Sequence, residues 1–326
     1  LGIKTYLYSR VHESTDDAQV DGHIIPVLAK VGGYVSAVLV QDNDSVKAGQ
    51  VLARIDDAEY KVRVAEAEAD LAASRFAAGS ARAPGQARAA VFTATSQHAA
   101  QDAQVTAARA RQEQAVNDLN RMKQLVAKQI ASQQQLDAAQ AAADAANANL
   151  EAVVRQAAAG GANVTSAVAG VGVAVARMQA AQATLDDAKL QLGYTTITAP
   201  VSGTVSKKLV ELGELLQPGQ TLMSVVADTG IWVTANFKET QLSQMRVGQP
   251  VTIDVDAYSG CTAEGRVQSL SAATGAKFAL LPPDNATGNF TKVVQRVPVR
   301  ILVTKGCGVD RPLRPGLSVV AHVKTG

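Results

Sequence analysis

The stretch Gly33-Tyr-Val-Ser-Ala-Val-Leu-Val40 returns 170 residues later as Gly203-Thr-Val-Ser-Lys-Lys-Leu-Val210. Both copies run on to a Gly-Gln pair, Gly49-Gln50 and Gly219-Gln220, and then to Leu52 and Leu222. Eight identities fall within 20 positions with no gap, a density that marks an internal repeat. The alternation around Val35 and Val38 is that of a half-buried strand. Val46-Lys-Ala-Gly-Gln50 and Leu216-Gln-Pro-Gly-Gln220 read as turns leading into a further short strand. Gly33, Gly49, Gly203 and Gly219 are accordingly expected to be structural turn glycines of the two halves. A half of this kind cannot cover both of its faces alone. Two halves packed face to face can, as a small β-sandwich.

Between the halves lies a block of Ala and Gln, about 58 to 191, in a chain with only 4% aromatic residues. Ala buries too little apolar area to build a thick core, but Ala and Gln are strong helix formers. From Leu136 an apolar or small residue recurs every seven positions, through Leu150, Val164, Met178 and Leu192. A second series three residues on includes Ala139, Val153, Gly160 and Ala174. A seven-residue period implies a left-handed coiled coil, and helix is expected to continue through Gly160, Gly161 and Gly170 at about 1 kcal/mol per Gly. The partner helix precedes it, with Val91, Val105, Leu119 and Val126 on one face and His98, Gln101 and Gln112 interrupting that seam. Val64 and Leu71 are out of phase with it by one residue. The slip falls where Gly79, Pro84 and Gly85 cluster, so a kink or short loop is expected between Gly79 and Gln86, or else a gap between two separate segments. The chain reverses near 126–132, where Ser132 is a suitable N-cap and Gln135 stands at the capping-box position. Some 60 residues per arm at about 1.5 Å rise give an arm of roughly 90 Å.

Two quasi-symmetric halves resemble the lipoyl/biotinyl fold, whose carrier members hold a modified Lys on the hairpin joining the halves. In this chain about 140 residues replace that hairpin, between Asp57 and Thr196, so no lipoyl or biotinyl cofactor is expected.

Net charge is +2, from 31 basic and 29 acidic residues, with no basic stripe interleaved with aromatics, which argues against a nucleic-acid partner. No apolar run is expected to reach the ~18–20 residues of a membrane span. His12, His23, His98 and His322 lack metal-ligand spacing, and Gly170-Val-Gly172 is followed by Val175 where a dinucleotide loop needs Gly. The paired carboxylates Asp16-Asp17 and Asp56-Asp57 read as turn or cap residues. Nothing points to an enzyme. In the last third, strands are expected near 231–237, 251–256, 266–270, 297–303 and 317–323, forming a six-stranded barrel if a strand near 18–20 joins them. The 280–289 stretch reads as a long loop, either a contact surface or filler. Cys261 and Cys307 are either two unrelated small residues or one disulfide joining two loops, which would require an oxidising compartment.

A sandwich split by a coiled-coil hairpin and followed by a barrel resembles the HlyD family of periplasmic adaptors, or membrane fusion proteins. The C-terminal third is similar to the EmrA type of multidrug efflux adaptor. The residues carrying this are Trp232-Val-Thr-Ala-Asn-Phe-Lys-Glu-Thr240, Met245-Arg-Val-Gly-Gln-Pro-Val251, Leu280-Leu-Pro-Pro-Asp-Asn-Ala-Thr-Gly-Asn289 and Val293-Val-Gln-Arg-Val-Pro-Val-Arg-Ile301. Ser14-Thr-Asp-Asp-Ala18 is similar to the segment that follows the family's membrane anchor. The resemblance implies an elongated α+β, multi-domain chain. Its parts would be an N-terminal stub and first barrel strand (1–23), lipoyl-like halves (24–56 and 194–227), the hairpin (57–193) and the barrel (228–326). It implies a periplasmic body held to the inner membrane by an N-terminal helix that precedes Leu1. The implied partners are a major-facilitator drug exporter in the inner membrane, a TolC-type outer-membrane channel, and further copies of the chain as trimers or hexamers. It leaves open weak binding of hydrophobic drugs by the adaptor itself. The alternative is an adaptor of the same build serving protein or peptide secretion with an ABC transporter. Adaptors of this class often carry R-x3-L-x6-S at the hairpin tip, and Arg121, Leu125 and Ser132 have that spacing, which implies channel docking. Without the family, Leu125 reads as seam, Ser132 as a cap and Arg121 as a solvated face.

Overall fold

The computed structural model describes residues 11–79, 84–274, 294–308 and 310–326; the 1–10 stub and the 280–289 loop lie outside them. Chain contacts divide it into two units, residues 57–193 and the remainder.

In the remainder, the repeat is carried strand for strand. Strands β2 (Ile24–Leu28), β3 (Gly33–Val38), β4 (Ser45–Val46) and β5 (Val51–Ile55) correspond to β6 (Thr196–Thr198), β7 (Gly203–Lys208), β8 (Leu215–Leu216) and β9 (Thr221–Ala227). They form two sheets, β2-β9-β7-β4 and β6-β5-β3-β8, each the image of the other under the repeat. Each sheet takes strands from both halves, so neither half can close its ladder alone. The backbone bonds repeat too: Val35 N–H donates to Glu214 O and Val205 N–H to Asp44 O, both at 2.9 Å. The matched apolar pairs are buried alike in the two halves, Leu52 and Leu222, Val46 and Leu216, each no more than 1% exposed. Strands β5 and β6 pair antiparallel, Val51 opposite Thr198. The 57–193 unit is therefore inserted where a simple hairpin would join them.

The recurring Gly-Gln pair has a local cause. Gly49 and Gly219 have φ of 81° and 87°, the left-handed value that the third position of a type II turn requires. The following Gln closes the turn twice, its N–H donating to the carbonyl of Lys47 or Gln217 and its Oε1 accepting from the same residue's N–H at 3.0 Å. Arg246-Val-Gly-Gln249 builds the same turn a third time, with Gly248 at φ 92°. Gly33 and Gly203 stand at the starts of strands β3 and β7 rather than inside the Gly-Gln turns. Gly33 is at φ 140°, a conformation that side chains rarely adopt, and at Gly203 a Cβ would meet the carbonyl of Val226.

The barrel closes in the order β1-β10-β13-β12-β11-β14. Its members are β1 (His12–Asp21), β10 (Trp232–Lys238), β11 (Pro250–Val255), β12 (Thr262–Leu270), β13 (Arg296–Lys305) and β14 (Ser318–Lys324). Alternate residues point inward: Val233, Ala235 and Phe237 of β10 are fully buried among Val20, Ile253, Ile301 and Ala321. The first strand is ten residues long rather than the few expected near 18–20. A bulge between Thr15 and Ala18 breaks its alternation, and Asp16-Asp17, expected as turn residues, lie at that bulge. Asp17 there pairs with Arg296 on β13 at 2.6 Å. Cys261 and Cys307 form a disulfide with a Cα–Cα distance of 5.7 Å.

The 57–193 unit is an antiparallel hairpin of α1 (Ala58–Ala78) and α2 (Gln86–Ala127) against α3 (Gln133–Tyr194). Leu71 and Ala67 of α1 pack on Leu185 of α3, Glu68 pairs with Lys189 at 3.0 Å, and Gln112 bonds Asn147 at 2.9 Å. Helix α3 runs unbroken for 62 residues, through Gly160, Gly161 and Gly170. Gly160 lies where His98 and Gln101 interrupt the opposite seam, and a Cβ there would collide with the Gln101 carboxamide. The interruption between α1 and α2 leaves Gly79, at φ 73°, against Gly85. A Cβ on either would strike the other's backbone, so only glycine permits this approach. The heptad series Val64, Leu71, Ala78 resumes at Val91 as though residues 79–84 were not there. That removes the one-residue phase slip.

One expectation fails on this unit. Helix α3 contains an 18-residue window long and apolar enough, by length and composition, to cross a membrane, with 6% of it buried. Its apolarity comes from Ala, Gly and Val in the uncharged run 156–176 rather than from large side chains.

Candidate docking site at the hairpin tip

The reversal between α2 and α3 is fixed by backbone chemistry. Ile130 N–H donates to Leu125 O at 2.9 Å and Gln129 N–H to Val126 O at 2.8 Å, with Gln129 at φ 61°. This is the Schellman pattern of helix termination, which uses otherwise unpaired carbonyls of the last turn. Glycine normally holds that left-handed position; glutamine does so at a cost of roughly 1–2 kcal/mol. On the return, Ser132 and Gln135 form a reciprocal capping box. Gln135 N–H donates to Ser132 Oγ at 3.3 Å and Ser132 N–H to Gln135 Oε1 at 3.0 Å.

Arg121, Leu125 and Ser132 thus flank one turn. The Arg121 guanidinium bonds Asp118 on its own helix while its side chain stays 68% exposed. A guanidinium has five N–H donors, so one anchored edge orients the group and leaves others facing outward. Leu125 is half-buried, and its carbonyl belongs to the helix stop. Ser132 uses its hydroxyl as the cap, so the structural role read from sequence is present. The residue that sequence reading passed over is Ile130, which projects from the turn at 70% exposure. Its signal was an isolated large apolar side chain inside a turn. Among the described residues, no group of three or more His, Cys, Asp or Glu is placed to hold a metal ion.

Comparison with known proteins agrees with this architecture. Residues 18–228 match the family described as RND MFP, barrel-sandwich hybrid domain, and residues 230–277 match the CusB-like, beta-barrel domain. The chain is 36% identical over 326 residues to the multidrug export protein EmrA of Escherichia coli, covering all of this chain and 80% of that one. It is 39% identical over 318 residues to the fatty acid resistance protein FarA of Neisseria gonorrhoeae, covering 95% and 75%. It is 34% identical over 324 residues to the colistin resistance protein EmrA of Acinetobacter baumannii, covering 99% and 90%. In fold it is similar to the membrane fusion protein Spr0693 of Streptococcus pneumoniae, with a TM-score of 0.54 at 19% identity over 97% of this chain and 99% of that one. It is also similar in fold to MacA of Actinobacillus actinomycetemcomitans, with a TM-score of 0.52 at 19% identity over 97% and 80%. Sandwich, hairpin and barrel, together with identity along nearly the whole length, establish that the chain belongs to the membrane fusion proteins, the periplasmic adaptors of efflux systems, and within them to the EmrA-like multidrug resistance branch.

Proposed function

We propose that this chain links an inner-membrane major-facilitator drug exporter to a TolC-type outer-membrane channel, acting by assembly and sealing with no covalent chemistry. Its body lies in the periplasm, held to the inner membrane by a helix preceding Leu1, and copies of it assemble as trimers or hexamers. The observation that carries this reading is the tip: a 62-residue helix returns through a turn that presents the anchored Arg121 guanidinium and the exposed Ile130 side chain. Arg121 would donate to backbone carbonyls of the channel, Leu125 and Ile130 would supply apolar contact, and Ser132 would hold the turn in shape.

The test uses resistance in cells producing the complete adaptor with its exporter and channel. Arg121→Ala with Ser132→Ala should abolish most of the drug resistance while leaving the amount of adaptor unchanged. Because Ser132 is also a cap worth about 1 kcal/mol, Ser132→Asp serves as a control that retains the cap. Arg121→Ala with Ser132→Asp should remain defective. Unchanged resistance in both variants would remove the tip from the docking surface.

A further inference from the structure

The seam between α2 and α3 is built largely from Ala and Val, so most of its layers are interchangeable. On α3 the pair at 160–161 is matched one heptad nearer the tip by Val153-Val154 and one heptad farther from it by Ala167-Val168. In no other heptad of α3 are both members of this pair glycine. On α2 the residues at 98 and 101 are matched by Val91 with Ala94 and by Val105 with Ala108. Sliding α2 along α3 by seven residues would keep all of these positions on the seam. The turn is a weak stop against such sliding, since its left-handed place is held by Gln129 and not by glycine. Apolar periodicity therefore does not choose the register.

One layer is not interchangeable. His98 and Gln101 face Gly160 and Gly161 across the seam: a Cβ on Gly160 would collide with Gln101 Oε1 and come within 3.2 Å of His98 Nδ1, and one on Gly161 would lie 3.7 Å from His98 Nε2. The two long polar side chains fill the room that the glycines leave. Gln101 Oε1 and His98 Nδ1 are buried there, and among the described residues neither atom has a hydrogen-bond partner. The other imidazole nitrogen faces Asp102 of the same helix at 3.6 Å. Buried polar atoms left unpaired lower stability, and a polar layer inside a coiled coil exchanges stability for register. A second contact keeps the same register. Gln112 Nε2 donates to Asn147 Oδ1 at 2.9 Å, and these residues lie two heptads nearer the tip than His98 and Gly161.

From this key and hole we infer that His98, Gln101, Gly160 and Gly161 set the register of the hairpin and, through it, which residues stand at its tip. One heptad away, the imidazole and the carboxamide would meet Val153 and Val154, or Ala167 and Val168, where side chains occupy the space they need. Because the chain reverses between α2 and α3, such a slip moves the centre of the turn by half a heptad. In one direction Leu125 falls inside the turn; in the other Ser132 does, and no longer caps α3. Arg121, Leu125 and Ser132 flank the turn in a single register. The four seam residues are therefore positioning residues that act far along the hairpin from the tip. What the tip residues touch rests on the proposed function; the register is independent of it.

The test maps the register in the dilute purified chain, whose native cysteines are bonded to each other. Gln112→Cys is combined in turn with Gln140→Cys, Asn147→Cys and Val154→Cys, one position in three successive heptads. A short bismaleimide joins the pair, and linked peptides are identified by mass spectrometry. The native seam should give the link from 112 to 147. His98→Val, Gln101→Ala, Gly160→Ala and Gly161→Val together make this layer like its neighbours. Links from 112 to 140 and to 154 should then rival the one to 147, with helical content by circular dichroism retained. Moving the hole is the sharper arm. Gly160→Ala, Gly161→Val, Ala167→Gly and Val168→Gly, with His98 and Gln101 kept, should transfer the dominant link to 154. A dominant link to 147 in either variant would assign the register to the turn and overturn the inference. Loss of the helical signal in the first variant would overturn it too, because the four residues would then hold the hairpin together without choosing its register.

Discussion

Gln129 occupies the left-handed position that ends α2, a place where a side chain is unfavourable. Gln129→Gly should therefore stabilise the hairpin by about 0.5–1 kcal/mol, measured as a higher thermal midpoint of the helical signal. Gly203→Ala should act in the opposite sense on the sandwich. Its Cβ would press on the carbonyl of Val226 and on Ala227 Cα, which are backbone and cannot turn aside. A loss of about 1–3 kcal/mol is expected, read from denaturant unfolding. These residues differ in how legible they were. Gly49 and Gly219 could be read as turn glycines because the turn is local. Gly203 is different: what forbids its Cβ is the backbone of a strand more than twenty residues away, which no local pattern shows.

At the scale of elements, the gap between α1 and α2 is an insertion in a continuous heptad count. Deleting residues 79–84 should join Ala78 to Gly85 in register and leave helical content and thermal stability undiminished. Adding Gly85→Ala should raise stability by a further ~1 kcal/mol, since Gly85 would then lie inside a helix. Deleting only residues 79–83 should throw α1 out of phase with α3 and lower the midpoint. The two deletions, compared by circular dichroism, distinguish a register insertion from a kink. The periodicity of Val64, Leu71 and Val91 revealed the slip, but its form needed Gly79 and Gly85 side by side. The bulge in β1 shows the same limit: Thr15, Ala18 and Val20 are inward-facing residues whose alternation a two-residue pattern cannot follow across Asp16-Asp17.

For the whole molecule, division into a β unit and a helical unit implies that they can be perturbed separately. The Cys261–Cys307 bond spans 46 residues of the barrel, a loop whose closure is worth about 4 kcal/mol in the chain-entropy account. Replacing both cysteines by Ala should lower the β unit's stability by roughly 2–4 kcal/mol, seen in Trp232 fluorescence during urea unfolding. The helical signal of residues 57–193 should keep its midpoint; a joint shift of both signals would show that the units unfold as one.

The sequence by itself determined the split sandwich, the long hairpin, the position of its turn and most barrel strands. Each of these rests on a pattern with a fixed period: an offset of 170, a heptad, or an alternation of two. The tertiary structure decided what depends on residues distant in the chain meeting. It showed that the two sheets exchange strands between halves, that β1 closes the barrel along ten residues, and that Cys261 reaches Cys307. Periodicity gives each element its buried face through local geometry, but which surface covers that face, and which is left uncovered, is settled only when the elements pack.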